Sequence, residues 1–391
     1  QVGKTWIMKT FGQQYFEKTA YVNFDNNARM KQVFEGDLDI ERLVLAISAE
    51  TGVSIEAENT LIIFDEVQEV PKALTSLKYF YENAPQYAIV AAGSLLGVAL
   101  HQGTSFPVGK VDFLDLYPLN FREFLCAMGE KQFVSMLDSC DTQMVTVFKT
   151  KYIERLREYY FVGGMPEVVK DFSEKKDYNR VRAIQKNLIN YYQQDFSKHA
   201  EIKLVPRLNL VWNSIPMQLA KENKKYIYGQ VREGSRAKDF ELAIQWLLDC
   251  GLIHKVQRIQ KPDLPLKAYI DFDAFKLFLV DIGLLIAMTD LDAKVIIEGN
   301  KIFTEFKGSL TEQYILQQLI SDVGVIPYYY STQNSKGEID FLVQGKTSVI
   351  PIEVKAEENL KAKSLKAFCE KYQPSYAVRT SMSDYREQDW M

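Results

Sequence analysis

Leu61-Ile62-Ile63-Phe64-Asp65-Glu66 sets four apolar residues in a row and closes them with two acids. An unbroken apolar run of this kind is the pattern of a strand buried on both faces, as in a parallel sheet covered by helices. The two carboxylates then emerge at the carboxyl end of the strand, where open α/β sheets carry their chemistry. Working outward, Tyr21-Val22-Asn23-Phe24-Asp25 reads as one neighbouring strand, and Ala88-Ile89-Val90-Ala91-Ala92-Gly93-Ser94 as another, apolar and closed by a small polar residue. The intervening segments are long enough to hold the helices that parallel crossovers need.

The chain opens with Gln1-Val2-Gly3-Lys4-Thr5. This string is the tail of G-x-x-x-x-G-K-[ST], the phosphate-binding loop, whose backbone N–H groups cradle phosphate oxygens while its lysine reaches the β- and γ-phosphates. The first glycine of the motif and the strand that feeds it are not in the sequence, so the chain reads as truncated at this end. A Gly-Lys-Thr string alone is an ordinary charged turn, and Asp65 and Glu66 alone are a solvated strand end before a helix. Three segments in the expected order make the P-loop reading the better one. Phosphoryl-transfer chemistry then gives the roles. Gly3, Lys4 and Thr5 hold the nucleotide, Thr5 and Asp65 hold Mg²⁺, Glu66 orients or deprotonates water, and Ser94 senses the γ-phosphate.

With 391 residues, 47% apolar and 25% charged, the chain can bury large cores and reads as two or three domains. A net charge of −4 excludes a bulk electrostatic footprint for nucleic acid, so any such contact must be local. Cys126, Cys140, Cys250 and Cys369 are far apart with no C-x-x-C pair, which signals neither a disulfide framework nor zinc. His101, His199 and His254 are equally scattered. The absence of a long apolar run and of a secretory leader makes a cytoplasmic protein, with no membrane partner, the expectation.

After Leu116-Tyr117-Pro118-Leu119-Asn120-Phe121-Arg122-Glu123-Phe124 the pattern turns helical and rich in tyrosine. Val181, Ile184, Leu188 and Tyr191 or Tyr192 recur at helical spacing, and Gly163-Gly164-Met165-Pro166 interrupts helix as a turn or hinge. Between residues 205 and 260 the chain reads as a winged helix. Ser235 is the expected N-cap, and Phe240, Ala243, Ile244, Leu247 and Leu248 share one face. Gly251 is the stop, and Leu252–Val256 reads as a strand. Arg232, Arg236 and Lys238 gather at the front of that helix, where a DNA-reading helix meets phosphate, although three such residues are equally a solvated face.

The last stretch holds a second constellation. Gly337-Glu338-Ile339-Asp340-Phe341-Leu342-Val343 puts an acid at the start of an apolar strand, and Val349-Ile350-Pro351-Ile352-Glu353-Val354-Lys355 follows. Glu353 and Lys355 are two apart, so in a strand they share a face. With Glu312 from a helical pattern, Asp340 and Glu353 form a candidate Mg²⁺ site with Lys355 beside it to activate or position water, the arrangement of metal-dependent phosphodiesterases. The plainer reading is a hairpin with an exposed Glu–Lys pair.

Together these motifs resemble prokaryotic AAA-type ATPases that carry a C-terminal domain of unknown function related to restriction endonucleases. The resemblance rests on Gly3-Lys4-Thr5, Ile63-Phe64-Asp65-Glu66-Val67-Gln68, Ala92-Gly93-Ser94, Leu116–Leu119, Gly163–Glu167, Leu310-Thr311-Glu312 and the two C-terminal strands. It implies an α/β protein with a P-loop ATPase core over residues 1–125, a helical and winged-helix region over 126–300, and a PD-(D/E)xK-like domain over 301–391. It favours ATP over GTP, and it implies that Gly109-Lys110 stands where relatives carry Gly-Arg, which leaves open whether Arg122, another arginine or none is the finger on the γ-phosphate. Three functions follow: an ATPase that controls the attached domains, a Mg²⁺-dependent DNA nuclease regulated by its ATPase, or an inactive module that binds DNA or a protein. Self-association is compatible with each.

Overall fold

The computed structural model describes residues 2–93, 109–221, 224–298, 304–332, 337–356 and 362–389. They fall into two compact units, Gln1–Leu116 and Tyr117–Met391.

The first unit alternates helix and strand: α1 (Lys4–Tyr15), β1 (Lys18–Asn23), α2 (Ala28–Glu35), α3 (Ile40–Thr51), β2 (Thr60–Asp65), α4 (Pro71–Asn83) and β3 (Ala88–Ala92). The strands form a three-stranded sheet in the order β1-β2-β3, with both pairings parallel. β2 is the central strand and is buried at every position, as its unbroken apolar run predicts. Its register sets Asn23 opposite Asp65 and Asp65 opposite Ala92, so three strand ends meet at the same edge. Residues 88–91 of β3 are only half-buried, because among the described residues β3 pairs with β2 alone.

Phe24, Phe34 and Phe64 meet edge to face with ring centroids 5.3–5.5 Å apart, fixing α2 against the sheet. Aromatic pairs in this geometry contribute about 0.5–1.5 kcal/mol each beyond the area they bury. The strand expected at Tyr21–Asp25 starts earlier, at Lys18, and stops at Asn23, where Asn23 Oδ1 takes the Asp25 N–H at 2.9 Å and turns the chain. Asn27 and Asp39 then cap α2 and α3 by accepting from Met30 N at 3.0 Å and Arg42 N at 2.9 Å.

The second unit pairs a helical region with a six-stranded sheet. Its strands are β4 (Ile253–Ile259), β5 (Ile270–Leu279), β6 (Tyr328–Ser331), β7 (Glu338–Gln344), β8 (Val349–Val354) and β9 (Val378–Thr380), ordered β5-β4-β6-β7-β8-β9. β4–β6 and β8–β9 are parallel and the other pairings antiparallel. This sheet runs through the boundary that the sequence placed between residues 300 and 301, because β4 and β5 continue laterally into β6 to β9.

Two sequence motifs in this unit meet. The helix Lys149–Val162 ends at Gly163, and the helix Pro166–Lys175 begins two residues after Gly164. Leu119 N donates to Gly164 O at 2.8 Å, and a side chain on Gly164 would put its Cβ 2.1 Å from Leu119 O. Gly163 has φ 75°, and a Cβ there would lie 2.2 Å from Asp281 Oδ1. Asp281, fully buried at the start of the helix Ile282–Met288, takes the Gly164 N–H at 2.6 Å and the Leu284 N–H at 3.1 Å. Burial lifts its carboxyl to about 6, partly offset by these donors.

In the helix Tyr178–His199 the core stripe is Val181, Gln185, Leu188, Tyr192 and Phe196. Tyr192 rather than Tyr191 faces inward, and Gln185 is buried because its Nε2 donates to Phe161 O at 2.7 Å and Val162 O at 3.1 Å, satisfying orphan carbonyls at a helix end. The helix Ala237–Asp249 buries Phe240, Ala243, Ile244 and Leu247 as expected, with Leu248 at its margin. Its N-cap is Arg236, not Ser235: the Arg236 N–H donates to Asp239 Oδ2 at 2.8 Å, so the acid at the third helical position closes the turn. Gly251, with φ 66°, follows the helix as its stop.

Candidate functional site

Gly3, Lys4, Thr5, Asp65 and Glu66, which the P-loop reading singled out, converge where α1 begins and β2 ends. Gly3 is the N-cap of α1, with φ 88° and ψ 17°, a left-handed conformation open to glycine at no steric cost. No side chain caps this end and no acid lies in its first turn. The start of α1 therefore offers backbone N–H groups and the positive end of a helix dipole, a combination suited to phosphate.

Thr5, in the first turn, donates from Oγ1 to Asp65 Oδ2 at 2.6 Å. Asp65 is 3% exposed and is also held by Tyr21 Oη, which donates to Oδ2 at 2.9 Å, and by Glu66 N, which donates to Oδ1 at 3.1 Å. Burial and the bond to Asp65 push the Tyr21 phenol up to about 12, so it remains a donor. Lys9 packs its Nζ over the Tyr21 ring, 3.5 Å from the centroid. Burial pulls the Lys4 ammonium below the usual lysine range, with Glu66 and Asp65 acting against that shift. Lys4 thus lies in a partly desolvated place beside two acids, where an anion's charge is strongly felt.

Glu66 sits at φ 51°, a left-handed conformation unusual for a residue with a side chain. The turn that follows, Val67–Glu69, brings Gln68 back over it, and Gln68 Nε2 donates to Glu66 Oε2 at 2.7 Å. Gln68 was given no role by the sequence motif, although its place two residues after Glu66 was visible. Ser94 lies outside the described residues. Lys110 Nζ is 3.4 Å from Glu82 and 5.0 Å from the Tyr81 ring centroid, which accounts for its charge locally. Arg122, in the second unit, is paired with Asp138 and with Asp322, 3.3 Å away.

Thr5 Oγ1 and Asp65 Oδ2 are hard oxygen donors already in contact, a donor set that fits Mg²⁺, which is held by few protein oxygens and completed by water and phosphate. The C-terminal residues also come together, but in different company. β7 and β8 pair with Phe341 opposite Ile352, which carries Asp340 opposite Glu353, and Asp340 Oδ2 accepts from Val354 N at 2.7 Å. Glu312, on the helix Thr304–Ser321, is bonded by Lys224 and lies 3.6 Å from Lys276, a fully buried lysine that also bonds Glu338. Lys355 Nζ donates to Glu353 Oε1 at 2.6 Å.

Burial and the neighbouring acid Glu312 hold Asp340 well above the usual carboxylate range, whereas Glu312 is held below it by Lys224 and Lys276 despite its burial. Burial also raises Glu353, against the pull of Lys355. Lys224, Lys276 and Lys355 therefore supply the positive charge that the sequence assigned to Mg²⁺ at Glu312, Asp340 and Glu353. Among the described residues no group of three or more His, Cys, Asp or Glu side chains is arranged to hold a metal. Glu312 Oε2 and Glu353 Oε2 nevertheless stay buried without a hydrogen-bond partner among the described residues.

Three family models match segments of the chain. Residues 1–125 match the model of an AAA domain. Residues 153–295 match a domain of unknown function, DUF8612, and residues 307–391 a second one, DUF4143. The N-terminal segment is thus similar to AAA-type ATPase domains, and the match supports nucleotide binding. No curated protein and no solved structure matches the chain. No helix among the described residues is long and apolar enough to cross a membrane.

Proposed function

We propose that this chain is an ATP-binding AAA-type ATPase whose nucleotide state controls the regions joined to it. The observation that carries the reading is the 2.6 Å bond between Thr5 and Asp65, which joins the two halves of a phosphate-and-metal site distant in sequence. Gly3 and the first-turn amides of α1 take phosphate oxygens, and Lys4 neutralises phosphate charge. Thr5 and Asp65 hold Mg²⁺, which when bound offsets the charge of the β- and γ-phosphates. Glu66 accepts a proton from the water that attacks the γ-phosphorus, the new P–O bond forming as the bridging bond to ADP breaks.

The order of helices Val205–Leu219, Tyr228–Val231 and Ala237–Asp249 followed by the β4–β5 hairpin supports a winged-helix reading of this region. The exposure of Arg232, Arg236 and Lys238 is compatible with a phosphate-bearing partner such as DNA. Metal-dependent cutting by the C-terminal region is not part of this proposal, because among the described residues no group of three or more His, Cys, Asp or Glu side chains is arranged to hold a metal. Replacing Glu66→Gln tests the reading: nucleotide binding should persist while turnover falls at least about a hundredfold, the size of a lost general base. Unchanged turnover would remove Glu66 from its role.

A further inference from the structure

We infer that Gln68 is a positioning residue for hydrolysis, orienting Glu66 through one end of its carboxamide and meeting the attacking water with the other. The inference rests on the ATPase reading above. Gln68 Nε2 donates to Glu66 Oε2 at 2.7 Å, which holds one oxygen of that carboxylate. Glu66 is set in a left-handed backbone conformation at φ 51°, and the Val67–Glu69 turn is closed by Glu69 N donating to Glu66 O at 3.0 Å. Strain of this sort is retained where the surroundings enforce it, and it aims Glu66 and Gln68 at each other.

The opposite end of the amide supplies the second observation. Gln68 Oε1 is sealed from solvent and has no hydrogen-bond partner among the described residues. It lies against Gly93, just past the end of β3, so closely that a Cβ on that residue would be 2.1 Å from it. Leaving a buried acceptor unpaired is costly, of the order of 1–3 kcal/mol, so such a group commonly has a partner in the working state. A water at the γ-phosphate has two protons to place. Glu66 takes the one that transfers, and Gln68 Oε1 accepts a hydrogen bond from the other. The small Gly93 leaves the carboxamide the room to do so.

The test uses the intact protein with Mg-ATP and compares wild type with Gln68→Leu, Gln68→Asn, Glu66→Gln and the Gln68→Leu/Glu66→Gln pair. Gln68→Leu should lower kcat at least tenfold with KM and nucleotide affinity within about twofold, because the loss lies in the reacting state. Gln68→Asn, which keeps the amide but shortens its reach, should lose kcat in the same way. In the Glu66→Gln background, Gln68→Leu should cause no further loss, since the two act as one unit. An unchanged kcat in Gln68→Leu, or a parallel loss of binding and stability, overturns the role. Additive losses in the pair do so as well. A wild type that neither binds nor hydrolyses ATP would overturn the ATPase reading first, and this inference with it.

Discussion

The Thr5 hydroxyl donates to Asp65 Oδ2 at 2.6 Å, fastening the first turn of α1 to the end of the central strand β2. In the proposed site Thr5 is a Mg²⁺ ligand in addition to making this bond. Thr5→Ala should therefore weaken Mg-nucleotide binding at least tenfold, about 1.4 kcal/mol, while Thr5→Ser, which keeps the hydroxyl, should bind within a few-fold of wild type. Titration calorimetry with and without Mg²⁺ separates the two. Equal affinities in Thr5→Ala and wild type would detach this bond from function.

Asp281 is buried with its carboxyl raised to about 6 from an ordinary value of 3.8. A raised folded value means that the native state binds the proton more tightly than the unfolded chain, so the contribution is fully present below pH 4 and lost as pH rises through 6. Its size is about 2–3 kcal/mol at 1.36 kcal/mol per unit. Asp281→Asn should flatten this component of the stability profile between pH 4 and 6. The variant should also cost about 1–3 kcal/mol at pH 7, because its NH₂ must face one of the amides of Gly164 and Leu284 that the carboxylate now accepts. Chemical denaturation across that pH range reads both effects.

Gly164 allows Leu119 to approach, and Gly164→Ala would force Cβ to within 2.1 Å of Leu119 O. Overpacking of this kind costs about 1–3 kcal/mol. Gly229→Ala is the matched control, since a Cβ there meets nothing within 4 Å, and it should shift stability by less than about 0.5 kcal/mol. Denaturation midpoints of the two variants give the comparison.

Much of the first unit was legible because its signals are local. The run Leu61–Phe64 is apolar on both faces, the pattern of a covered strand, and Gly3, Lys4, Thr5 and Asp65 became candidates through the order of their segments, with Thr5 and Asp65 brought into contact by the fold. The C-terminal cluster was half legible. Acids near strand ends suggested a metal, but the lysines that answer them, Lys224 and Lys276, come from segments remote in sequence, and only the fold brings them to Glu312. The continuation of β4 into β6 was invisible for the same reason, since lateral pairing leaves no mark on period-2 patterning. Gln185 was hidden because a glutamine on a helical stripe does not show that it serves another helix's carbonyls.

Lys276 is fully buried between Glu312 and Glu338. Lys276→Met should destabilise the protein by about 3–5 kcal/mol, because removing one member of a buried ionic group leaves the others uncompensated. If lysines supply the charge at this cluster, Mg²⁺ alone should leave the melting temperature of an Asp65→Asn variant unchanged. A Mg²⁺-dependent rise that disappears when Asp340→Asn is added would show that the C-terminal carboxylates bind metal after all.

ATP turnover of the intact protein compared with its Lys4→Ala variant is the most direct test of the central claim. Lys4 sits in the first turn of α1, partly desolvated and beside Asp65 and Glu66, and in the proposed site it neutralises phosphate charge. Turnover in the wild type that is abolished by Lys4→Ala is the result this site predicts. Normal turnover in Lys4→Ala would contradict it.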